Sequence, residues 1–204
     1  MPLKKLACTL ALATSALLLS ACSDSPADAD IQAALQPQLE GAACVSAPMF
    51  KNFPVTLSNS VSSAISSANA PAFDALAEAG LLAKSDKTYT LTEPGRAAYV
   101  QQSGGFCYAQ GYEIAKIQNT EANTQQMGPA VEKSWLVTVD ILQKPIAAWA
   151  KTPAIEKLAR HAENLSEAPK TYHVTVGRIK GEQGLKLIDP RFSIMRGVSV
   201  NQAF

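Results

Sequence analysis

Histidine is scarce in this chain of 204 residues: His161 and His173 are the only two. A metal site draws its ligands from His, Cys, Asp and Glu at convergent spacings. On a helix, the partner for His161 would stand four residues away, where the sequence has Lys157 and Leu165. Glu163, two away, faces elsewhere. Both histidines therefore read as surface residues, and neither a metal nor a cofactor is expected. No G-x-S-x-G elbow of a serine hydrolase occurs, and no G-x-x-x-x-G-K-[ST] phosphate cradle. The stretch "QSGG", 102–105, reads as a turn before a strand. A net charge of +1 gives no basic footprint for nucleic acid. Nor does any apolar run reach the roughly 20 residues that a membrane-spanning helix needs.

The longest apolar run lies at the very start. Lys4 and Lys5 precede the uncharged, Leu- and Ala-rich stretch from Leu6 to Leu19, the pattern of a signal peptide. It ends Leu19-Ser20-Ala21-Cys22, followed at once by the polar "SDS". This segment resembles the lipobox of bacterial lipoproteins. The resemblance implies cleavage before Cys22, a lipid on the Cys22 thiol and acylation of the new amino group. At about 0.8 kcal/mol per buried CH₂, two or three acyl chains anchor a protein where one is marginal. Ser23, by the same resemblance, directs the protein to the outer membrane, facing the periplasm, rather than to the inner membrane. Residues 1–21 are then the signal peptide and 22–29 a tether, small, polar and interrupted by Pro26.

Of the four cysteines, Cys8 leaves with the signal and Cys22 is the lipidation site, so Cys44 and Cys107 remain. In an oxidising compartment two thiols have one internal pairing, and a Cys44–Cys107 disulfide is expected. The functional alternative is a nucleophilic Cys107 with His161 or His173 as its base.

Residues 30–103 read as a helical half. Ile31, Leu35 and Leu39 share one helical face, which Asp28 or Asp30 can cap and Pro37 kinks or ends. An apolar loop or short strand follows at 49–58. A Ser-rich helix with Val61 and Ile65 inward comes next. A second helix starts at Asn69 and buries Phe73, Leu76 and Ala77, with Gly80 as its C-cap. After a polar turn at 84–87 comes the strand "TYTLT", then Thr92 as the cap of a last helix with Pro94 near its start. The stretch "FDALAEAGLLAKSDKTYTLTEPGRAAY" resembles the winged-helix domain of bacterial transcription regulators. That resemblance implies a shape only. The helix that would read DNA presents Asp74 and Glu78, which repel phosphate.

Residues 104–204 read as a β-rich half. Along 104–117, Phe106, Tyr108, Tyr112 and Ile114 are expected on one face, and Cys107, Ala109 and Ala115 on the other. A polar loop over 118–132 leads to a strand with Trp135, Val137, Val139 and Ile141 inward. A helix capped by Thr152, with Pro153 first and Ile155, Leu158, Ala162 and Leu165 as its stripe, separates that strand from "KTYHVTVGRI". "LKLI" makes a last short strand. Trp135, Trp149, Tyr108 and Tyr112 fit either a core edge or a binding groove.

The whole reads as an α+β chain: a winged-helix-like helical half and a mainly antiparallel sheet with one packed helix, held as one unit by the disulfide. The function expected is that of a lipid-anchored, non-catalytic interaction or binding module of the cell envelope. Its partners are the bilayer, through Cys22, and an envelope protein, not nucleic acid. The alternatives are a small envelope hydrolase, or a lipoprotein that takes a small ligand or peptide between the halves.

Overall fold

The computed structural model describes residues 25–60 and 65–200. The segment that resembles a lipobox, with Cys22, lies outside them, as do Val61 and the last four residues. The fold is mixed α+β, dominated by a large sheet. Its strands are β1 (Glu40–Ser46), β2 (Val55–Thr56), β3 (Leu82–Ser85), β4 (Thr88–Leu91), β5 (Tyr99–Val100), β6 (Gly105–Ala122), β7 (Val131–Gln143), β8 (Ala159–Arg160), β9 (Lys170–Ile179), β10 (Lys186–Leu187) and β11 (Val198–Val200). Its α-helices are α1 (Asp28–Leu39), α2 (Ala70–Glu78), α3 (Glu93–Ala98) and α4 (Pro153–Leu158). The large sheet runs β10-β9-β7-β6-β1-β11-β8, with β5 also on β6; a small sheet runs β2-β4-β3. All pairings between these strands are antiparallel except β1 with β11, which is parallel.

The helical, winged-helix-like N-terminal half is not shown, and helices are few. α1 buries Ile31, Leu35 and Leu39 as their spacing predicts, but it does so against the large sheet. Its N-cap is Ala27, with no side-chain cap; Asp28 and Asp30 sit in the first turn, where carboxylates favour the helix dipole. The helix therefore takes in Asp28 and Ala29 of the stretch read as a tether, and Pro26 before it is buried. Of the stretch expected as a Ser-rich helix, the described residues 65–69 form a turn and a 3₁₀ helix, with Ile65 half-buried. Serines offer the backbone rival partners. Ser67 donates to the Ser58 carbonyl from both its N–H, at 2.7 Å, and its hydroxyl, at 2.9 Å. From Ala70 to Ala98 the order is helix, β-hairpin, helix, and Thr92 caps α3 by accepting the Gly95 N–H at 3.0 Å.

The expected helix over 152–165 stops at Leu158. Ala159 and Arg160 instead pair with Val200 and Ser199 of β11, and His161 takes a left-handed backbone. Pairing with a distant strand outweighs local helix propensity here. Ile155 and Leu165 are still buried.

Two hydrophobic cores share the strand β6. The first gathers Phe50, Phe73, Phe106, Tyr108 and Ile155; the second gathers α1 with Trp135, Val137, Val139, Val174 and Val176. Phe106 and Tyr108 thus belong to one core, and Tyr112 and Ile114 to the other, rather than lining a single face. The change falls at Gly111, whose φ is +139°. A Cβ at Gly111 would stand 2.8 Å from the Leu39 carbonyl oxygen. The close approach of the end of α1 therefore requires glycine there.

Candidate functional site

The disulfide forms as expected. Cys44 and Cys107 are register partners on β1 and β6, so the bridge ties neighbouring strands of one sheet. It closes a sequence separation of 63 residues. With its sulfur in that bond, Cys107 has no thiolate for either histidine to activate. His161 is exposed and, lying beyond the end of α4 with a left-handed backbone, has Nδ1 3.2 Å from Glu163 Oε1, contrary to the helical placement that set the two apart. His173 is exposed on β9, with Nδ1 3.1 Å from the Thr138 hydroxyl. Among the described residues, no group of three or more His, Cys, Asp or Glu is placed to hold a metal ion.

The aromatic residues fill cores. Trp135 is 1% exposed, with Lys133 and Arg178 reaching over its ring at 5.6 and 5.7 Å. Trp149 packs edge-on to Tyr108 at 6.2 Å on the rim of the first core. Tyr112 and Tyr172 do reach a small recess of about 20 Å³, shared with Gln143, Asn164, Lys170 and Met195. Several polar groups in and beside it pair with one another. The Tyr108 hydroxyl donates to the Asn164 carbonyl at 3.2 Å, and Lys170 Nζ donates to Asn164 Oδ1 at 2.7 Å. Asn164 Nδ2 donates to the Gly197 carbonyl at 3.0 Å, and Gln143 Nε2 donates to the Tyr112 hydroxyl at 3.4 Å. Burial pushes the Tyr108 hydroxyl up to about 12, and raises Tyr112 and Tyr172 as well. These phenols stay protonated at neutral pH and serve as hydrogen-bonding groups.

The sheet offers a different kind of site. β6, β7 and β9 form a three-stranded ribbon whose inner face is covered by α1 and whose outer face meets solvent. On that outer face Thr138 bonds His173, and Asp140 accepts from Gln118 at 2.6 Å and Thr171 at 2.7 Å. These two bonds hold the Asp140 carboxyl below its ordinary value. Leu136 stands 49% exposed among them.

The ribbon ends in an open edge. β10 meets β9 at Val176 and Gly177, and Ile188 donates to the Thr175 carbonyl at 3.0 Å. Beyond that, among the described residues, no strand pairs with 170–174 on the side away from β7. The register of β9 on β7 is unbroken from Gly177 to Lys170. Alternate backbone groups of a regular edge strand point outward and can pair with an added strand. β6 has a longer edge beyond Gly111, where its pairing with β1 ends, but shifts at Ile114/Lys116 and Ile117/Asn119 break its register with β7. Such irregularities and exposed charges blunt an edge.

The alternation of "KTYHVTVGRI" identifies β9 but carries no signal of this edge, because strand order depends on distant segments. No family model, no curated protein and no solved structure matches this chain.

Proposed function

We propose that this protein is an outer-membrane lipoprotein, anchored through acylated Cys22 and facing the periplasm, that acts as a non-catalytic interaction module of the envelope. The lipobox and the disulfide-stapled sheet support this reading, and one observation carries the interaction role: the regular, unpaired edge of β9 over 170–174. An extended segment of an envelope protein can add there as a further strand. Backbone hydrogen bonds would supply affinity, and the exposed Thr171 and His173 side chains would supply selectivity.

In the same reading, the helix–hairpin–helix from Ala70 to Ala98 is a winged-helix-like unit reused for a role other than DNA binding. Its element order and the pairing of β2 on the hairpin support this. Asp74 ties its helix to the hairpin: one carboxylate oxygen accepts from Lys84 Nζ and from the Tyr89 hydroxyl, both at 2.7 Å.

Two experiments test the proposal. Globomycin should block precursor processing, and radiolabelled palmitate should enter the protein; absence of label removes the anchor. Benzoylphenylalanine placed at Thr171 or His173 should give a discrete crosslinked protein in intact cells, while the same probe at Asp86 should not. No crosslink at the edge positions, or turnover of an ester or cell-wall substrate abolished by one side-chain change, would reject the interaction role.

A further inference from the structure

The buried proline before α1 places the anchor. Between Cys22 and Pro26 stand only Ser23, Asp24 and Ser25. A fully extended chain covers at most about 3.6 Å per residue, so this link reaches no more than about 14 Å. Pro26 is buried and shares a recess with Asp30, Glu132, Arg178, Glu182 and Leu185. Glu132 also lines the neighbouring recess formed with Lys180 and the 123–130 loop between β6 and β7. The chain thus leaves the fold beside the tip of the ribbon.

We infer that the tip of the β6–β7–β9 ribbon is the membrane-facing end of the protein, held against the lipid headgroup surface by the short link from Cys22 to Pro26. This inference rests on the lipid-anchor reading. The tip suits that position. The 123–130 loop, "NTQQMGPA", carries no charge. Around it, Lys133, Arg178 and Lys180 are balanced by Asp30, Glu132 and Glu182. Neither strong attraction to anionic lipid nor repulsion from it is built in, and the tether sets the orientation. β7 has 13 residues. At about 3.3 Å per residue, it extends roughly 40 Å from that tip towards the first core. The ribbon is therefore a spacer between the bilayer and the part of the fold that holds the disulfide and the first core.

The two tryptophans report this directly, since Trp135 lies on the ribbon near its tip and Trp149 at the first core. The full-length lipidated protein is reconstituted in phosphatidylethanolamine–phosphatidylglycerol vesicles containing a dansyl-headgroup lipid. Energy transfer should be several-fold greater from W149F, which keeps Trp135, than from W135F, which keeps Trp149. Should W135F fail to fold, W149F is compared with the wild type, whose averaged transfer should be lower. Ten Gly and Ser residues inserted between Cys22 and Pro26 should reduce the Trp135 transfer. Protein that floats with the vesicles yet transfers equally from both tryptophans, or more from Trp149, overturns the orientation alone. Protein that acquires no lipid and does not float overturns the anchor reading, and the orientation with it.

Discussion

The side-chain amide of Asn164 donates to the Gly197 carbonyl at 3.0 Å, joining the segment after α4 to the residue that enters β11. Asn164 is 8% exposed, and its side-chain and main-chain oxygens accept from Lys170 and Tyr108 respectively. One residue thus links the start of β9, the approach to β11 and, through Tyr108, the first core. Asn164→Ala should lower stability by about 2 kcal/mol, because it leaves the Gly197 carbonyl without its donor and Lys170 without its acceptor. Urea unfolding under non-reducing conditions checks this; a loss within about 0.5 kcal/mol would mean that water replaces both bonds.

Reduction of the Cys44–Cys107 bridge should cost about 4 kcal/mol in the chain-entropy model for a loop of this size. The comparison is between urea midpoints with and without dithiothreitol, with the Cys44→Ser, Cys107→Ser double variant as control. That variant should be insensitive to the reductant. An unchanged wild-type midpoint would show that the bond does not constrain the unfolded chain.

What could be read from the sequence was local or periodic. Ile31, Leu35 and Leu39 need only helical spacing to declare a buried face, and Trp135 to Ile141 need only alternation. Thr92 announces its cap because the contact with Gly95 spans three residues. The disulfide follows from counting the thiols left once Cys8 and Cys22 are set aside, under the expectation of an oxidising compartment. The missed elements are those that exist only through distant pairing. β1, with the weak strand formers Gly41, Ala42 and Ala43, is held between β6 and β11. β8 interrupts a helical pattern because β11 is there to pair with it. The β9 edge is invisible for the same reason: it depends on how little of β9 the short strand β10 covers.

Stability should respond to acid through Asp74. Partial burial pushes its carboxyl up, but the hydrogen bonds from Lys84 and Tyr89 and the Lys84 charge outweigh this and leave it below its ordinary value. A lowered folded value means that the stabilisation is present above the unfolded value and is lost as pH falls through the folded one. Both side chains of the ion pair are nearly half exposed, so solvent screening keeps the contribution small. Asp74→Asn should therefore be slightly less stable than the wild type at pH 6, with the gap closing below pH ~4. A gap that persists at pH 2 would assign the effect to packing instead of charge.

All five tyrosines, Tyr89, Tyr99, Tyr108, Tyr112 and Tyr172, have raised values, each chiefly through burial. The folded protein should show less phenolate absorbance at pH 10 than the unfolded chain, and Tyr108 should ionise near 12. The same groups destabilise the fold in alkali: their stabilisation is complete below the unfolded value of about 10 and is lost as pH rises through the folded values. Ultraviolet titration of native and urea-unfolded protein decides the matter. A native curve that overlays the unfolded one would show that these rings are open to solvent.

Gly95, in the first turn of α3, faces the backbone of the segment that leads into β3. A Cβ there would fall 1.9 Å from the Leu81 carbonyl oxygen and 2.9 Å from its carbon. Backbone cannot move aside as a flexible side chain can, and the Leu81 oxygen already accepts the Thr92 N–H at 3.1 Å. Gly95→Ala must therefore displace α3 from the hairpin, even though alanine favours the helix by about 1 kcal/mol. The expected net result is a loss of about 2 kcal/mol or more, the range of an overpacked site. Arg96→Ala, next to it and exposed, should cost much less, because it removes only a surface bond to the Leu91 carbonyl. Thermal unfolding of the two variants side by side separates the explanations: equal, small shifts in Tm would mean that α3 and the hairpin can part without cost, and that the 70–98 unit is not packed as one piece.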